Sequence, residues 1–338
     1  MGDSFMNKEI SFPALLERFF TQRLMAQRQV SPHTIASYRD TFRLLLQFVS
    51  KRLHKLPSAL ALADLDPGLI GAFLDQLEKE RSNCARSRNL RLTAIRSFFR
   101  YSAFEDPAQS GLIQRVLAMP SRRYEKKLVG FLTRPEIDAL LAAPDCKTWA
   151  GRRDHAFLLV AVQTGLRLSE MTDLRCEDLA LGTGAHVHCI GKGRKERRTP
   201  LTKQAVNVLR VWLQEPSRGK GEIVFPNARG NKLSADGVQY LLAKHIAVAR
   251  ERCPSLHEKR VTPHVLRHTA AMELLQAGVD RSLIALWLGH ESVETTQMYL
   301  DANLALKEQA LAKTTPVNAK TTGRYRPDDK LMAFLKDL

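Results

Sequence analysis

The sequence predicts a mainly α-helical protein of two domains, an all-helical N-terminal unit followed by a mixed α+β unit with one small antiparallel hairpin. Apolar residues recur at helical spacing along most of the 338-residue chain, which is long for one core and suits two. Two alternating segments flank a basic Gly-rich turn near residue 191, the pattern of a hairpin. Between 119 and 132 both periodicities fail in a basic stretch containing Pro120 and Gly130, which reads as a linker.

The first domain opens with Phe12, Leu15, Leu16, Phe19 and Phe20, which give residues 11–27 a helical apolar face. Ser31-Pro32 supplies an N-cap and a first-turn proline for a helix whose face runs through Ile35, Tyr38, Phe42, Leu45, Leu46 and Val49, until Leu56-Pro57 breaks it. Asp66-Pro67 starts a third helix with Ile70, Phe73, Leu74 and Leu77, and a fourth covers 85–103. That fourth helix carries Arg86, Arg88, Arg91, Arg96 and Arg100 and no acidic residue. With Leu92, Ile95, Phe98 and Phe99 turned inward, Arg88, Arg91 and Arg96 are expected to face out, toward phosphates that relieve their mutual repulsion. Arg122, Arg123, Lys126 and Lys127 extend the positive charge along the linker.

The second domain begins at a capping box, Thr133-Arg-Pro-Glu136, with Ile137, Leu140 and Leu141 inward. A strongly apolar helix over 154–163 ends at Thr164-Gly165. Leu168, Met171 and Leu174 then resume helical spacing, which sets Arg167 beside the apolar layer, where it requires an anionic partner. Residues 186–190 alternate like a strand, Gly191-Lys-Gly-Arg-Lys195 forms a basic turn presenting Lys192, Arg194 and Lys195, and 197–201 is the return strand. Residues 201–213 and 234–249 are helical, with a short extended piece at 223–225 between them. Thr262-Pro263 caps a helix with His264 and Arg267 on one face, packed by Ala270, Ala271, Leu274 and Leu275 and ended by Gly278. Asp280 starts a short helix that Gly289 stops, delivering His290 at the turn, and Ser292 starts the next, with Tyr299 about two turns in. The tail from 305 is linker-like until Leu331, Phe334, Leu335 and Leu338 mark a terminal amphipathic docking helix. The predicted organisation is a tail at 1–10, a helical domain at 11–118, a linker at 119–132, a second domain at 133–304 and an extension at 305–338.

A formal net charge of +17 exceeds what solubility requires and points to a polyanionic partner, nucleic acid before membrane. No apolar run approaches the roughly 20 residues that span a bilayer, and the start lacks the apolar core of a signal peptide, so a soluble, cytoplasmic, nucleoid-associated protein is expected. The five cysteines form no Cys-x-x-Cys pair and are expected to be reduced, buried thiols rather than disulfides or zinc ligands.

Breaking a phosphodiester without water requires a nucleophile, cations on the non-bridging oxygens and an acid for the leaving oxygen. Arg167 and Arg267 suit the oxyanion, because a guanidinium is always charged and donates a planar pair of hydrogen bonds. Tyr299 can act as covalent nucleophile if a base or positive field offsets its high pKa, a part open to His264 and His290, and Lys192 can supply the acid. His264 with His268 would also fit half of a metal site, a reading disfavoured because no third ligand is locally spaced; no metal is expected. Gly191-Lys-Gly-Arg lacks the spacing of a nucleotide-binding loop.

Taken together, Thr164-Gly-Leu-Arg-Leu-Ser-Glu170, Gly191-Lys-Gly-Arg-Lys195, His264-Val-Leu-Arg-His268, Leu288-Gly-His290 and Tyr299 resemble the ordered motifs of the tyrosine recombinase, or phage integrase, family. The resemblance covers 133–304, and the helical first domain resembles the family's SAM-like core-binding domain. It implies a site-specific recombinase in which Tyr299 forms a 3′-phosphotyrosyl bond and releases a 5′-hydroxyl. Arg167 and Arg267 would hold the phosphate, His264 assist removal of the tyrosine proton, His290 hydrogen-bond the phosphate, Lys192 protonate the leaving oxygen, and Glu170 support the first arginine. It implies no cofactor. The partners would be double-stranded recombination sites, paired in a homo-tetramer, alone or with sister recombinases. With no arm-binding domain ahead of the helical one, the chain resembles compact Xer-like and transposon-borne members, so integrase, transposase and resolvase roles all fit. A non-catalytic DNA-binding regulator on the same fold and a type IB topoisomerase-like activity are the alternatives.

Overall fold

The computed structural model describes residues 11–125, 129–191, 196–216 and 221–289. The chain divides into two compact units between residues 126 and 127, each with its own apolar core.

The first unit consists of α1 (Phe12–Arg18), α2 (Pro32–Leu53), α3 (Pro67–Arg81), α4 (Ala85–Glu105) and α5 (Ser110–Ala118). Caps set the starts read from sequence: the Ser31 hydroxyl accepts the Thr34 N–H at 3.3 Å and the Asp66 carboxylate that of Leu69 at 2.8 Å, with proline in the first turn of both helices. α1 continues as a π-helix over Phe19–Gln27, which sets the neighbours Phe19 and Phe20 both against Phe42. Phe98 of α4 is fully buried at the centre, with the rings of Phe12, Phe19, Phe42 and Phe99 at centroid distances of 5.4 to 5.9 Å. α5 was not expected from spacing. It closes the unit with Leu112, Ile113 and Val116 buried.

Two arginines depart from the sequence reading. Arg88 does not face out: it is 8% exposed and pairs with Asp75 at 3.4 Å and Glu78 at 3.5 Å on α3. The reason is register, since residues 88, 92, 95 and 99 form one stripe at helical spacing, and that stripe faces the core. Arg122 joins the same carboxylates, at 3.1 Å to Asp75 and 2.7 Å to Glu78, and its backbone exchanges two hydrogen bonds with the Asn89 side chain. Arg86, Arg100 and Arg123 are exposed, and Arg91 and Arg96 are half-buried, donating to the hydroxyls of Thr41 and Ser121. Among the described residues none of these five forms an ion pair. Burial, followed by the charge of Arg81 at Arg91 and of Arg100 at Arg96, lowers the affinity of both for their protons, with Asp40 offsetting part of the effect at Arg91. Lys126 and Lys127 lie outside the described residues.

The second unit comprises α6 (Arg134–Leu141), α7 (Trp149–Thr164), α8 (Leu168–Asp173), β1 (Leu179–Ala180), β2 (His186–Ile190), β3 (Glu196–Pro200), α9 (Lys203–Leu213), α10 (Ala235–Arg252), α11 (Pro263–Gln276) and α12 (Arg281–Leu288). Glu136 completes the expected capping box by accepting the Thr133 N–H at 2.7 Å, and the hydroxyls of Thr148 and Thr262 cap α7 and α11. α7 is buried nearly all round and starts five residues before the expected helix, because Thr148 begins it upstream of its apolar part. The antiparallel sheet runs in the order β1-β2-β3, with Val187 opposite Thr199 and Cys189 opposite Arg197. The cysteines are free, yet only Cys189 of the five is buried. Cys84 and Cys146 are exposed because they precede α4 and α7 rather than sit on inward faces. Among the described residues no helix is long and apolar enough to cross a membrane.

Phe98→Ala removes the ring at the centre of the first unit and is expected to destabilise that unit by about 3–5 kcal/mol, read as a lower urea midpoint of the full chain by tryptophan-independent circular dichroism.

Candidate active site

Two helix C-termini and one strand build the site. α7 ends at Gly165, whose backbone is left-handed (φ 62°) and whose Cα lies so close to α11 and α12 that a Cβ would stand 2.7 Å from Leu288 Cδ2 and 3.0 Å from Ala270 Cβ. α12 ends the same way at Gly289 (φ 64°), where a Cβ would meet Arg197 Nη1 at 3.0 Å. Only glycine meets both demands without strain.

These turns aim otherwise unpaired carbonyls at two guanidinium groups. Arg267, on α11 and 6% exposed, donates from Nη1 to the Gly165 carbonyl at 2.7 Å and from Nη2 to that of Leu288 at 2.6 Å. Arg167 stands one position before α8, not inside it, with extended backbone. Its Nη2 donates to the Gly289 carbonyl at 2.7 Å and its Nη1 to Glu170 Oε1 at 3.0 Å. The negative ends of the α7 and α12 dipoles thus hold the two cations that the sequence brings together only across a hundred residues.

Glu170 lies behind Arg167, as the sequence required of some anion. Its side chain is 5% exposed and accepts four hydrogen bonds, from the Arg167 N–H at 2.7 Å, Arg167 Nη1, and Arg197 Nη1 and Nη2 at 2.9 and 2.6 Å. Burial pushes the carboxyl up, but the hydrogen bonds of Arg197 and Arg167 and the charge of Arg197 outweigh it, so Glu170 stays below the usual carboxylate range. The sequence reading did not single out Arg197. A signal was available: in a strand, residue 197 shares its face with Thr199, which pairs with the inward Val187.

His264 is exposed on α11 and His268 half-buried one turn later, their rings stacked with centroids 6.4 Å apart. Burial, then His264 and Arg267, press His268 down to about 4, so it is neutral at ordinary pH. Among the described residues no group of three or more metal-ligating side chains converges. Lys192, Arg194, Lys195, His290 and Tyr299 lie outside the described residues, as does the expected terminal helix at 331–338.

Chemically, the described part carries donors of the kind that suit an oxyanion. Arg167 uses two of the five N–H donors a guanidinium carries on partners among the described residues, and two guanidiniums against one carboxylate leave the Glu170 cluster positive. Preformed donors of this kind stabilise charge that develops on oxygen.

Comparison with known proteins agrees in region and order. Residues 130–305 match the model of the Phage integrase family, and residues 16–105 that of the Phage integrase N-terminal SAM-like domain. A Sinorhizobium fredii protein, y4rC, which carries the name integrase/recombinase, is 65% identical over 98% of this chain and 100% of its own length. Tyrosine recombinase XerC of Pelobacter propionicus is 32% identical over 88% of this chain and 94% of its own. The fold is similar to that of the XerH site-specific recombinase in its post-cleavage complex with palindromic difH substrate, with a TM-score of 0.69 at 21% identity, over 85% of this chain and 81% of that one.

The histidine gives a pH prediction. Because His268 falls from an unfolded value of 6.5 to about 4 in the fold, the unfolded chain binds the extra proton between these values. Its contribution to stability is complete above about pH 6.5 and drains away as pH falls toward about 4. The urea midpoint of the second unit should drop between pH 7 and 5, and less steeply in His268→Gln; equal slopes in both proteins would remove His268 as the cause.

Proposed function

The chain belongs to the phage integrase family, the tyrosine recombinases, and from that premise we propose that its own Tyr299, Arg167, Arg267, His264, His290 and Lys192 carry out the strand exchange. As a member it is an enzyme that cleaves and rejoins DNA through a tyrosine intermediate. In the proposed reaction the Tyr299 phenolic oxygen attacks the scissile phosphorus, and the bond from phosphorus to the 5′ oxygen breaks. His264 assists the departure of the phenolic proton. Lys192 gives a proton to the leaving oxygen. Arg167 and Arg267 hold the non-bridging oxygens, His290 adds a hydrogen bond, and Glu170 supports Arg167. The phosphotyrosyl bond keeps the energy of the phosphodiester, so the reverse step needs no nucleotide cofactor.

The observation that carries this reading is the pair Arg167 and Arg267, fixed by carbonyls of Gly165, Leu288 and Gly289 at one junction inside the segment that matches the family. Anchoring on the carbonyls of helix ends, with a buried acid behind Arg167, is what preorganised phosphate stabilisation requires. In the same proposal residues 11–118 and the linker 119–132 hold the duplex, 133–304 do the chemistry, and 305–338 dock on a neighbouring protomer. The target is a pair of duplex sites joined in a tetramer, and the protein acts on nucleoid DNA in the cytoplasm. The structurally similar XerH recombinase was captured bound to its palindromic difH substrate.

A suicide duplex bearing the recombination site should trap a covalent complex with the full chain, and Tyr299→Phe should abolish it. Persistence of that complex in Tyr299→Phe would remove the nucleophile assignment. Arg267→Ala should slow its formation by about 100- to 1000-fold, the loss typical of one oxyanion donor.

The arginines of α4 should separate by their partners. Arg96→Ala should weaken DNA binding and lower the salt slope of log affinity by about one, while leaving cleavage of already bound DNA intact. Arg88→Ala should instead lower unfolding stability by about 1–3 kcal/mol, since it strips a buried cation from Asp75 and Glu78; a fall in DNA affinity with unchanged stability would contradict the ion-pair assignment.

A further inference from the structure

Glu170 is shared unequally between its two arginines. Arg197 grips both carboxylate oxygens, at 2.9 and 2.6 Å, whereas the Arg167 side chain reaches only Oε1, at 3.0 Å. Arg197 is itself fixed: its Nε donates to the Trp287 carbonyl at 3.2 Å, and the bare Cα atoms of Gly191 and Gly289 lie so near that a Cβ on either would stand 3.0 Å from Nη1. A carboxylate has about four lone-pair sites. Here Arg197 fills two, and Arg167 fills the others with Nη1 and its backbone N–H.

A carboxylate buried this deeply does not stay unanswered if one cation is withdrawn. The nearest replacement is Arg167, three residues away, whose planar fork fits both oxygens. Closing onto Glu170 in that way would pull Nη2 off the Gly289 carbonyl and commit to the carboxylate the donors that a phosphate needs.

We infer that Arg197 is a positioning residue for strand cleavage: by occupying Glu170 with two bonds, it prevents Arg167 from folding back onto that carboxylate and leaves the Arg167 fork to the scissile phosphate. The inference rests on reading Arg167 as a phosphate ligand. It makes Arg197 act on the chemical step and not on DNA capture, and it makes the harm of losing Arg197 depend on the charge of Glu170.

The full chain is assayed for single-turnover formation of the covalent complex on a suicide duplex at saturating protein, for DNA affinity by gel shift at fixed salt, and for folding by its melting transition. Arg197→Ala should cleave about tenfold to hundredfold more slowly, the range of one charged hydrogen bond, with affinity changed less than about twofold. Adding Glu170→Gln to Arg197→Ala should recover at least about tenfold of that loss, since a neutral amide no longer recruits Arg167. A merely structural anchor predicts the opposite, a double variant no better than the single. Wild-type cleavage by Arg197→Ala, a parallel loss of affinity and rate, or a double variant no faster than the single would each overturn the inference. If Arg197→Ala does not melt cooperatively, Arg197→Lys, which keeps the charge but not the fork, must show slowed cleavage at intact affinity for the inference to stand. Arg167→Ala cleaving at the wild-type rate would instead refute the underlying reading of Arg167.

Discussion

The buried carboxylate of Glu170 is the constraint on which the site depends. A carboxylate removed from water costs several kcal/mol unless cations and hydrogen bonds answer it, and four donors from two arginines do so. Those arginines also reach outward, Arg197 to the Trp287 carbonyl and Arg167 to that of Gly289. One charge cluster therefore ties the start of α8 and the strand β3 to the end of α12. The cluster is positive overall and rigid, which is the combination a phosphate receptor needs and which free surface arginines do not offer.

Helix ends complete the design. The last carbonyls of any helix lack partners within it, and a buried helix end must find donors elsewhere. α7 and α12 both end inside the unit, and both give those carbonyls to guanidinium groups, Gly165 and Leu288 to Arg267 and Gly289 to Arg167. The glycines and the arginines are thus parts of one solution. A left-handed glycine lets each helix stop abruptly enough to expose its carbonyls, and the arginines satisfy them while gaining a fixed orientation.

The fold was legible where local chemistry decides it. Ser31-Pro32, Asp66-Pro67, Thr133 with Glu136, Thr262-Pro263 and Asp280 each start the helix their residue types imply, and Gly165 and Gly289 each end one. Within the candidate site, Arg167, Glu170, Arg267 and His264 were legible as residue types in motif order, although not the carbonyls that hold them. What escaped the sequence depends on partners distant in the chain. Arg88 was misplaced because arginine was read as outward, although its register with Leu92, Ile95 and Phe99 places it inward, against acids of α3. Arg197 escaped because its partner lies 27 residues away and its strand is five residues long, too short for alternation to speak clearly.

Arg88, read as outward, and Arg197, not singled out, change what the charge of +17 means. Basic residues divide into those answered by a carboxylate and those that are not. Arg88 and Arg122 belong to Asp75 and Glu78, Arg153 to the buried Asp154, and Arg197 to the buried Glu170; their role is to answer carboxylates within the fold. Arg86, Arg91, Arg96 and Arg100 form no ion pair among the described residues; Arg91 feels the repulsion of Arg81, partly offset by Asp40, and Arg96 that of Arg100. Only the second kind holds a counterion atmosphere that a polyanion can displace. The net charge therefore overstates the positive charge that the first unit leaves unpaired, because Arg88 and Arg122 are already answered by Asp75 and Glu78.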